Sequence, residues 1–267
     1  MARACPDAAL QPYVETLWVS AGEAARAPRE HSLPSGAMHL AIRLDAPLRL
    51  YAGSADTVGH EVSQAVIGGV RMGHCIKDTS TPGRSVGAVL RPGAARALFG
   101  CSAAELAGRH LPLDQVWGSE AGLLLERLQA EADPSRQLDL FAAALRARLR
   151  PVGALHPQIA QALHDLARAG SVADAVAASG HSHRHFIARF REATGLPPKA
   201  YARLRRFRRA LRMLARGGAL AEVAFAAGYS DQAHFSREFR ELSGVTPRAY
   251  RAARPDAAHH LPVGAVR

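Results

Sequence analysis

Residues 171–182 read SVADAVAASGHS, and residues 219–230, which lie 48 positions further on, read ALAEVAFAAGYS. Both stretches place apolar residues at helical spacing and contain a glycine, Gly180 or Gly228, that can adopt positive φ. Each is followed by a second amphipathic segment with aromatic residues spaced i, i+4. The sequence therefore predicts two helix-turn-helix units built on one plan.

The equivalence continues beyond the glycines with an offset of 49, because the second unit has one extra residue before its first aromatic side chain. Ser182 and Ser230 stand where a hydroxyl can cap the second helix of each unit. Residues 196–216 begin with Pro197 and Pro198 and end at Gly217, which predicts a long connecting helix. The matched pairs are Phe186 with Phe235, Phe190 with Phe239, Gly195 with Gly244, Pro198 with Pro247 and Tyr201 with Tyr250.

The positive charge of the chain is concentrated in the segment that holds these two units. Residues 155–254 contain 17 Lys and Arg against 7 Asp and Glu, whereas the rest of the chain contains 17 against 16. A regional excess of this kind favours a polyanion, because each phosphate that is neutralised releases condensed counterions. A solvated basic surface is the alternative, and the duplicated helix-turn-helix pattern favours DNA.

The second unit carries a family resemblance. The stretch GYSDQAHFSREFR at residues 228–240, followed by GVTPRAYR at residues 244–251, resembles the signature of the AraC/XylS-type transcriptional regulators. The resemblance extends over residues 155–252. It implies two helix-turn-helix subdomains, joined by a long helix, that enter adjacent major grooves on one face of the DNA. It also implies a regulator, more commonly an activator, although the sequence does not determine the sign of regulation.

The exposed face of each second helix is expected to read bases, because side chains there can reach the groove edges. In the second unit this face holds Gln232, Ala233, Ser236 and Arg237, and Gln pairs well with adenine and Arg with guanine. A salt bridge from Arg237 to Glu241 is the alternative. The predicted DNA-binding set also contains Arg240, and Arg205 on the connecting helix is expected to contact phosphate. The other arginines of that helix are Arg203, Arg206, Arg208, Arg209 and Arg212, which either line the phosphate backbone or keep the helix soluble.

The first unit departs from the pattern of the family. Its corresponding face holds His183, Arg184, Ile187 and Ala188, where family members commonly have an arginine at the position of Ala188. An arginine follows one place later, at Arg189, and one residue rotates a side chain by about 100° around a helix. We therefore expect Arg184 to contact a base and Arg189 to reach a phosphate, and the choice between them stays open.

A metal site at the histidine run of the first unit is a further alternative. His181 and His185 have i, i+4 spacing, and imidazoles are good zinc ligands. Neither Cys nor a carboxylate stands at ligand spacing nearby, and Arg184 lies between the two histidines. The sequence therefore favours a DNA-facing role for these histidines, with no metal and no cofactor.

The first 150 residues predict a different kind of domain. Residues 38–44 alternate with the period of a half-buried strand, and residues 48–51, 65–70 and 86–90 are short and β-rich. Beyond Pro92 the pattern becomes helical, with a capping box at Ser102 to Glu105 and amphipathic stretches at 120–132 and 135–149. Residues 33–36 and 87–94 resemble an uncharacterised subtype of the sensor domains that precede the DNA-binding region in many such regulators.

A small-molecule effector is expected for this domain, because the mouth of a barrel is a common ligand site. An effector-independent protein, whose first domain only dimerises or contacts RNA polymerase, is the alternative. A homodimer through the helix at 135–149 competes with packing of that helix on its own domain. His74 and Cys75 form an isolated pair that is weak evidence for metal binding or redox sensing. The residues that could line an effector site are His31, His39, Trp18, Tyr51, Arg71, His74 and Arg91.

Composition and cysteine usage predict a cytoplasmic bacterial protein that is nucleoid-associated when bound to DNA. The sequence has no apolar stretch of about 18 residues and no charged-then-apolar leader, so neither membrane insertion nor export is expected. Cys5, Cys75 and Cys101 are odd in number and widely separated, as is typical of a reducing compartment. We predict no enzyme, because the sequence shows neither a zinc-binding cysteine cluster nor a nucleophile elbow, and Cys101 precedes the helix cap Ser102.

The predicted fold class is α+β. Residues 1–152 are expected to form a strand-rich barrel or sandwich with following helices, which senses an effector or dimerises. Residues 153–254 are expected to form an all-α double helix-turn-helix domain, and residues 255–267 a flexible tail.

Overall fold

The computed structural model describes residues 2–22, 27–153, 155–168, 170–180 and 182–264. The strands are β1 (Ala2–Ala4), β2 (Val14–Ser20), β3 (Arg29–Ser32), β4 (Met38–Arg43), β5 (Arg49–Tyr51), β6 (His60–Glu61), β7 (Ala65–Gly68), β8 (Cys75–Asp78), β9 (Ser85–Leu90), β10 (His110–Pro112) and β11 (His260–Pro262). The helices are α1 (Ala94–Phe99), α2 (Ala103–Leu106), α3 (Asp114–Trp117), α4 (Ser119–Ala130), α5 (Pro134–Arg148), α6 (Pro157–Ala167), α7 (Val172–Ala178), α8 (His183–Thr194), α9 (Pro198–Ala215), α10 (Leu220–Ala227), α11 (Gln232–Ser243) and α12 (Pro247–Ala253).

The strands form two antiparallel sheets. One has six strands in the order β1-β2-β9-β4-β7-β10, and the other has five in the order β11-β3-β8-β5-β6. Strand β4 shows why the alternation predicted a half-buried strand, because Met38, Leu40 and Ile42 are buried whereas the residues between them are only partly so. The arrangement is sandwich-like and not a closed barrel. It confirms the predicted α+β class, and of the predicted barrel or sandwich it is the sandwich that is observed.

Helices cover the six-stranded sheet and complete its core. Helix α5 packs on β2 and β9 and places Phe141 and Leu145 out of solvent, so the expected packing within the chain is observed. The capping box is present as well, because the Ser102 amide and hydroxyl both donate to Oε1 of Glu105, at 2.8 and 2.9 Å. Strand β3 escaped prediction because its residues, REHS, are all polar and half-buried and contain no apolar run.

The C-terminal helices form two helix-turn-helix units around one long helix. Unit 1 is α7 and α8, unit 2 is α10 and α11, and α9 packs against helices of both. Gly180 and Gly228 have φ of 64° and 92°, a backbone conformation that other residues rarely adopt, so the predicted sharp turns are present. Apolar residues at helical spacing bury one side of α9, as the sequence predicted for the connecting helix.

The expectation of a flexible tail at 255–267 does not agree with the structure over residues 260–262. Strand β11 pairs antiparallel with β3, with His260 opposite Ser32 and Leu261 opposite His31. Leu261 is fully buried, so the segment has both a hydrogen-bonded edge and an apolar contact to hold it. Residues 265–267 of the expected tail lie outside the described residues.

Within the part of the chain that the structure describes, none of the helices has the length and apolar character needed to cross a membrane.

Candidate nucleic-acid interface

The second helices of the two units, α8 and α11, are held by matching aromatic cores. Phe186 and Phe190 have ring centroids 5.8 Å apart, and the equivalent Phe235 and Phe239 are 5.6 Å apart. Each second phenylalanine meets a tyrosine edge to face, Tyr201 at 5.4 Å in unit 1 and Tyr250 at 5.6 Å in unit 2. All four phenylalanines are fully buried, so each helix has a fixed inner face.

The polar residues predicted to read DNA lie on the opposite faces of these helices. In α11, Gln232, Ala233, Arg237 and Arg240 are exposed, and Ser236 is half-buried with its hydroxyl donating to the carbonyl oxygen of Gln232 at 2.8 Å. In α8, His183, Arg184, Ala188 and Arg189 are exposed and Ile187 is half-buried. The structure thus places the predicted residues of α11 on one helix surface, and those of α8 on one surface apart from Arg189.

Glu241, the salt-bridge partner that the alternative gave to Arg237, pairs with a different arginine in the structure. The carboxylate of Glu241 accepts from Nη2 of Arg203 on α9 at 2.8 Å. Arg237 remains exposed in the middle of α11, and its charge makes a small contribution to lowering the pKa of Asp231, whose carboxylate is stabilised chiefly by the backbone amide of His234.

Glu238 is a functional residue that the sequence analysis missed. Its side chain is only 6% exposed, and it accepts from Nε of Arg203 at 3.0 Å and from Nη2 of Arg206 at 3.2 Å. Both arginines belong to α9. The carboxylate of Glu238 therefore links α11 to the connecting helix, and the second helix of each unit, α8 or α11, is called its recognition helix below. The only signal in the sequence was its position three residues after Phe235, on the inner face of α11.

Three arginines of the connecting helix contact unit 2. Arg203 and Arg206 bind Glu238, and Nη1 of Arg209 donates to the carbonyl oxygen of Ala227 at 3.1 Å. These three arginines therefore stabilise unit 2 from within. Arg205, half-buried, makes none of these contacts with unit 2.

Arg189 of unit 1 is the equivalent of Glu238, because the recognition helices of the two units are offset by 49 residues. Arg189 is exposed and lies one residue beyond Ala188, which corresponds to Arg237. Arg189 is therefore rotated by about 100° from the surface that Arg184, Ile187 and Ala188 share.

The amino ends of the two recognition helices are capped differently. In unit 1 the hydroxyl of Ser182 accepts from the amide of His185 at 3.4 Å, as predicted. In unit 2 the prediction of Ser230 was wrong, because the carboxylate of Asp231 accepts from the amide of His234 at 2.7 Å. The extra residue of unit 2 shifts the cap by one position, and Ser230 instead bonds to Asp231 and to the ring of His234.

The N-terminal domain contacts the carboxyl ends of both recognition helices. Gly195, which ends α8, lies against Val70 and Ala103, and Gly244, which ends α11, lies against the ring of His74. Both glycines have positive φ, of 83° and 79°, and neither has space for a Cβ. The amino-terminal reading faces of the helices stay exposed in this arrangement.

Several residues proposed for an effector site converge beside the six-stranded sheet. The hydroxyl of Ser35 lies 2.6 Å from Nε2 of His39, and Nη2 of Arg71 donates to the hydroxyl of Ser32 at 2.8 Å. Nη1 of Arg71 lies 3.4 Å from Nε2 of His110. The rings of His31 and His74 are 4.9 Å apart.

The other effector candidates have separate roles. Tyr51 donates to Asp78 beneath the guanidinium of Arg29, Trp18 packs against Gly87, and Arg91 donates to the carbonyl oxygen of Val14 at 3.3 Å. An open groove of about 650 Å³, lined in part by Val62 and Gly122, contains none of the candidates.

Burial sets the protonation of the histidines in this region. It lowers the pKa of His39 to about 3, with a smaller contribution from the charge of Arg71. It lowers the pKa of His110 and of His31 to about 4 for the same main reason. These imidazoles are therefore neutral at neutral pH, and the guanidinium charges that act on His39 are those of Arg71 and Arg208. Burial also raises the pKa of the Cys101 thiol, which works against a nucleophilic role for it.

The zinc alternative for the first unit involves His181, which lies outside the described residues. Among the residues that are described, no three His, Cys, Asp or Glu side chains are grouped so that they could hold a metal ion.

Comparison with known proteins assigns each domain separately. Residues 175–253 match the family model of a helix-turn-helix domain, and residues 2–112 match the domain of unknown function DUF6597. No curated protein sequence matches the chain.

Solved structures also match. Apo ToxT from Vibrio cholerae is 11% identical with a TM-score of 0.47, and the alignment covers 88% of this chain and 96% of that one. ToxT with a bound unsaturated fatty acid is 11% identical with a TM-score of 0.46, covering 88% and 94%. An AraC-type DNA-binding domain protein from Chromobacterium violaceum is 27% identical over 38% of this chain and 94% of that one, with a TM-score of 0.35.

Proposed function

We propose that this chain, whose C-terminal domain is an AraC-type helix-turn-helix domain, is a transcription regulator that reads two adjacent major-groove segments of one duplex. The observation that carries the proposal is the pair of equivalent recognition helices, each fixed by a buried phenylalanine pair and each exposing a polar face. The regional positive charge supplies the sequence-independent attraction to phosphate.

In unit 2, base reading is assigned to Gln232, Ala233, Ser236 and Arg237, and Arg240 is assigned to the phosphate backbone. Support for Arg237 comes from Glu241, whose carboxylate binds Arg203 and leaves the guanidinium of Arg237 on the exposed face. An arginine in a major groove makes a bidentate contact with guanine, which is the commonest specific contact of this kind.

In unit 1, we assign base reading to Arg184, with His183, Ile187 and Ala188 beside it on the same helix surface. Arg189 corresponds to Glu238, a residue that faces the connecting helix, and its rotation away from Arg184 supports contact with a phosphate. The first unit would then read DNA through the start of its recognition helix, one turn before the arginine of the second unit.

Contacts to the phosphate backbone are assigned to Arg205 on the connecting helix. The neighbours Arg203, Arg206 and Arg209 are engaged with unit 2, so we do not assign them to DNA. This division predicts that only part of the arginine cluster contributes to the salt dependence of binding.

Selection of bound sequences from random duplex DNA with the purified chain, followed by titration of the best site at several salt concentrations, tests whether the chain reads DNA in this way. We expect two short motifs about one helical turn apart. Arg237→Ala should lose about 1–3 kcal/mol of discrimination at one base pair. Arg205→Ala is the matched control, and it should weaken all sequences alike and reduce the salt slope by about 1. An unchanged base preference in Arg237→Ala would remove that residue from the reading set.

For the N-terminal domain we propose control by a small molecule with polar groups. The support is the cluster of Arg71 with Ser32 and His110, near His39, which supplies several hydrogen-bonding groups and the fixed positive charge of Arg71. A thermal-shift screen of small polar compounds should find some that raise the Tm of the wild type but not of Arg71→Gln. A screen in which every stabilising compound acts equally on both proteins would remove Arg71 from the effector site, and a screen without any stabilising compound would favour the effector-independent alternative. Contacts with RNA polymerase and with a second copy of the chain stay predictions.

A further inference from the structure

The chain returns to its N-terminal domain after the last helix of unit 2. Beyond α12 the backbone turns at Arg254, where φ is 42°, and residues 260–262 then become the edge strand of the five-stranded sheet. The amide of Leu33 donates to His259 and the amide of Val263 donates to Arg29, both at 2.8 Å. We call residues 255–264 the C-terminal strap.

Side chains reinforce this pairing at both faces of the strand. Leu261 is fully buried, and Nδ1 of His260 lies 2.6 Å from the carboxylate of Glu30, which Lys77 also contacts at 2.6 Å. Burial alone would raise the pKa of Glu30, but the hydrogen bond from His260 and the charge of Lys77 bring it to about 2. The carboxylate is therefore ionised at neutral pH and available to hold the strap.

The strap is also tied to unit 2 at its other end. The hydroxyl of Tyr250 on α12 donates to the carbonyl oxygen of Ala258 at 2.9 Å. Tyr250 is the buried partner of Phe239 in the core of unit 2. A continuous path of contacts thus runs from the recognition helix α11 through Tyr250 to the strap and on to β3.

The two units are attached to different sheets. Unit 1 contacts the end of the six-stranded sheet, where the amide of Gly93, just beyond β9, donates to the carbonyl oxygen of Ala193 at 2.9 Å. Unit 2 is joined to the five-stranded sheet through the strap and through His74, which directly precedes β8 and lies against Gly244. Because each sheet is attached to one unit, a displacement between the sheets would change the position of one unit relative to the other.

We propose that the C-terminal strap couples the second helix-turn-helix unit to the five-stranded sheet, so that a displacement between the two sheets changes the position of unit 2 relative to the N-terminal domain and to unit 1. The coupling of unit 2 to the sheet does not require DNA, whereas its consequence for reading DNA rests on the proposed function. An edge strand suits this role, because backbone hydrogen bonds fix its register while its connection to the rest of the chain stays short.

Spin-label distance measurements on the full chain test the coupling. The three cysteines Cys5, Cys75 and Cys101 are first replaced by Ser. Val58→Cys then places a label at an exposed position between β5 and β6 of the five-stranded sheet. It is paired with Gln232→Cys on unit 2 or with the equivalent His183→Cys on unit 1, both of which are exposed. Leu261→Asp puts a charge where the strap is buried, and Leu261→Met is the conservative control.

We expect the wild type and Leu261→Met to give one narrow distance for each pair. Leu261→Asp should lose the narrow Val58 to Gln232 distance and keep the Val58 to His183 distance. Unchanged distances for both pairs, or equal broadening of both, would overturn the coupling of unit 2 in particular. In case Leu261→Asp fails to fold, a flexible insertion of about ten Gly and Ser residues after Ala258, beyond the hydrogen bond from Tyr250 and before β11, keeps β11 intact and slackens the strap. It should have the same selective effect, and its failure to do so would overturn the proposal.

Binding to duplexes with altered spacing between the two selected motifs tests the consequence for DNA. The wild type should prefer one spacing, and the slackened variant should lose that preference while keeping the same motifs. If the wild type enriches no paired motif, the proposed function fails, and the distance measurement still decides whether the strap couples unit 2 to the sheet.

Discussion

The two helix-turn-helix units share a core but differ in what fixes their recognition helices. Thr194 in unit 1 and Ser243 in unit 2 are both buried, and each donates to the carbonyl oxygen four residues earlier, at 2.8 and 2.7 Å. Each hydroxyl shares its single proton with the carbonyl oxygen two residues later, at 2.9 and 3.0 Å. The end of the recognition helix is thus built identically in the two units, down to a hydroxyl that closes its last turn.

Outside that shared core the units depend on different neighbours. Unit 2 is held by the connecting helix, because Glu238 accepts from two arginines of α9. Unit 1 has Arg189 at that position, and its recognition helix packs instead on α2 of the N-terminal domain. Duplication therefore preserved the aromatic core, whereas the residue that orients the helix diverged. The recognition helix of unit 2 is thus oriented by a charged contact with α9, and that of unit 1 by packing on α2.

The largest expected effect tests the part that the units share. Phe190→Ala and Phe239→Ala each remove a fully buried ring from an aromatic pair, and each should lower the free energy of unfolding by about 3–5 kcal/mol. Urea unfolding of the full chain, followed by circular dichroism, measures both. A loss confined to one of the two variants would show that the cores are equivalent in sequence but not in energy.

Glu238→Gln tests the difference between the units and should have the second largest effect. It removes the negative charge that two arginines share, and we expect a loss of about 2–3 kcal/mol. This is less than for a fully buried pair, because the arginine side chains are 32% exposed. The matched change Arg189→Gln should stay within about 0.5 kcal/mol, since Arg189 is exposed. Similar losses in the two variants would refute the different attachment of the two helices.

The sequence was sufficient to predict the duplicated plan but not this divergence. Apolar and aromatic spacing locates helices well, because burial of a stripe is a local and periodic property, and the helices of both units and α9 were predicted from it. Glu238 was missed because its partners Arg203 and Arg206 lie 35 and 32 residues away, and nothing local distinguishes it from a solvated glutamate.

The tail was mispredicted for a related physical reason. A three-residue strand has no periodicity to detect, and Leu261 becomes buried only because the edge of β3 is adjacent to the end of α12. The exposed reading faces were placed from the sequence by exclusion, as the positions that the phenylalanines leave free. Their contacts with DNA stay predictions until the base preferences of the variants are measured.

The smallest expected effect lies at the amino ends of the recognition helices, where the units use caps of different chemistry. Ser182→Ala should cost about 0.5–1 kcal/mol, because its bond to the amide of His185 is long and the site is exposed. That cost should not change with pH, since a hydroxyl does not titrate in the accessible range.

The stabilisation by the cap of unit 2 should depend on pH. Bonds from the amide of His234 and the hydroxyl of Ser230 lower the pKa of Asp231, so its stabilisation is present above the ordinary carboxyl pKa and is lost as the pH falls through the lowered value. Unfolding of Asp231→Ala and Ser182→Ala measured from pH 7 down into the acid range checks this, with the difference between Asp231→Ala and wild type shrinking as the carboxylate protonates. A difference that stayed constant to low pH would mean that the cap of unit 2 acts through its geometry alone, as the cap of unit 1 does.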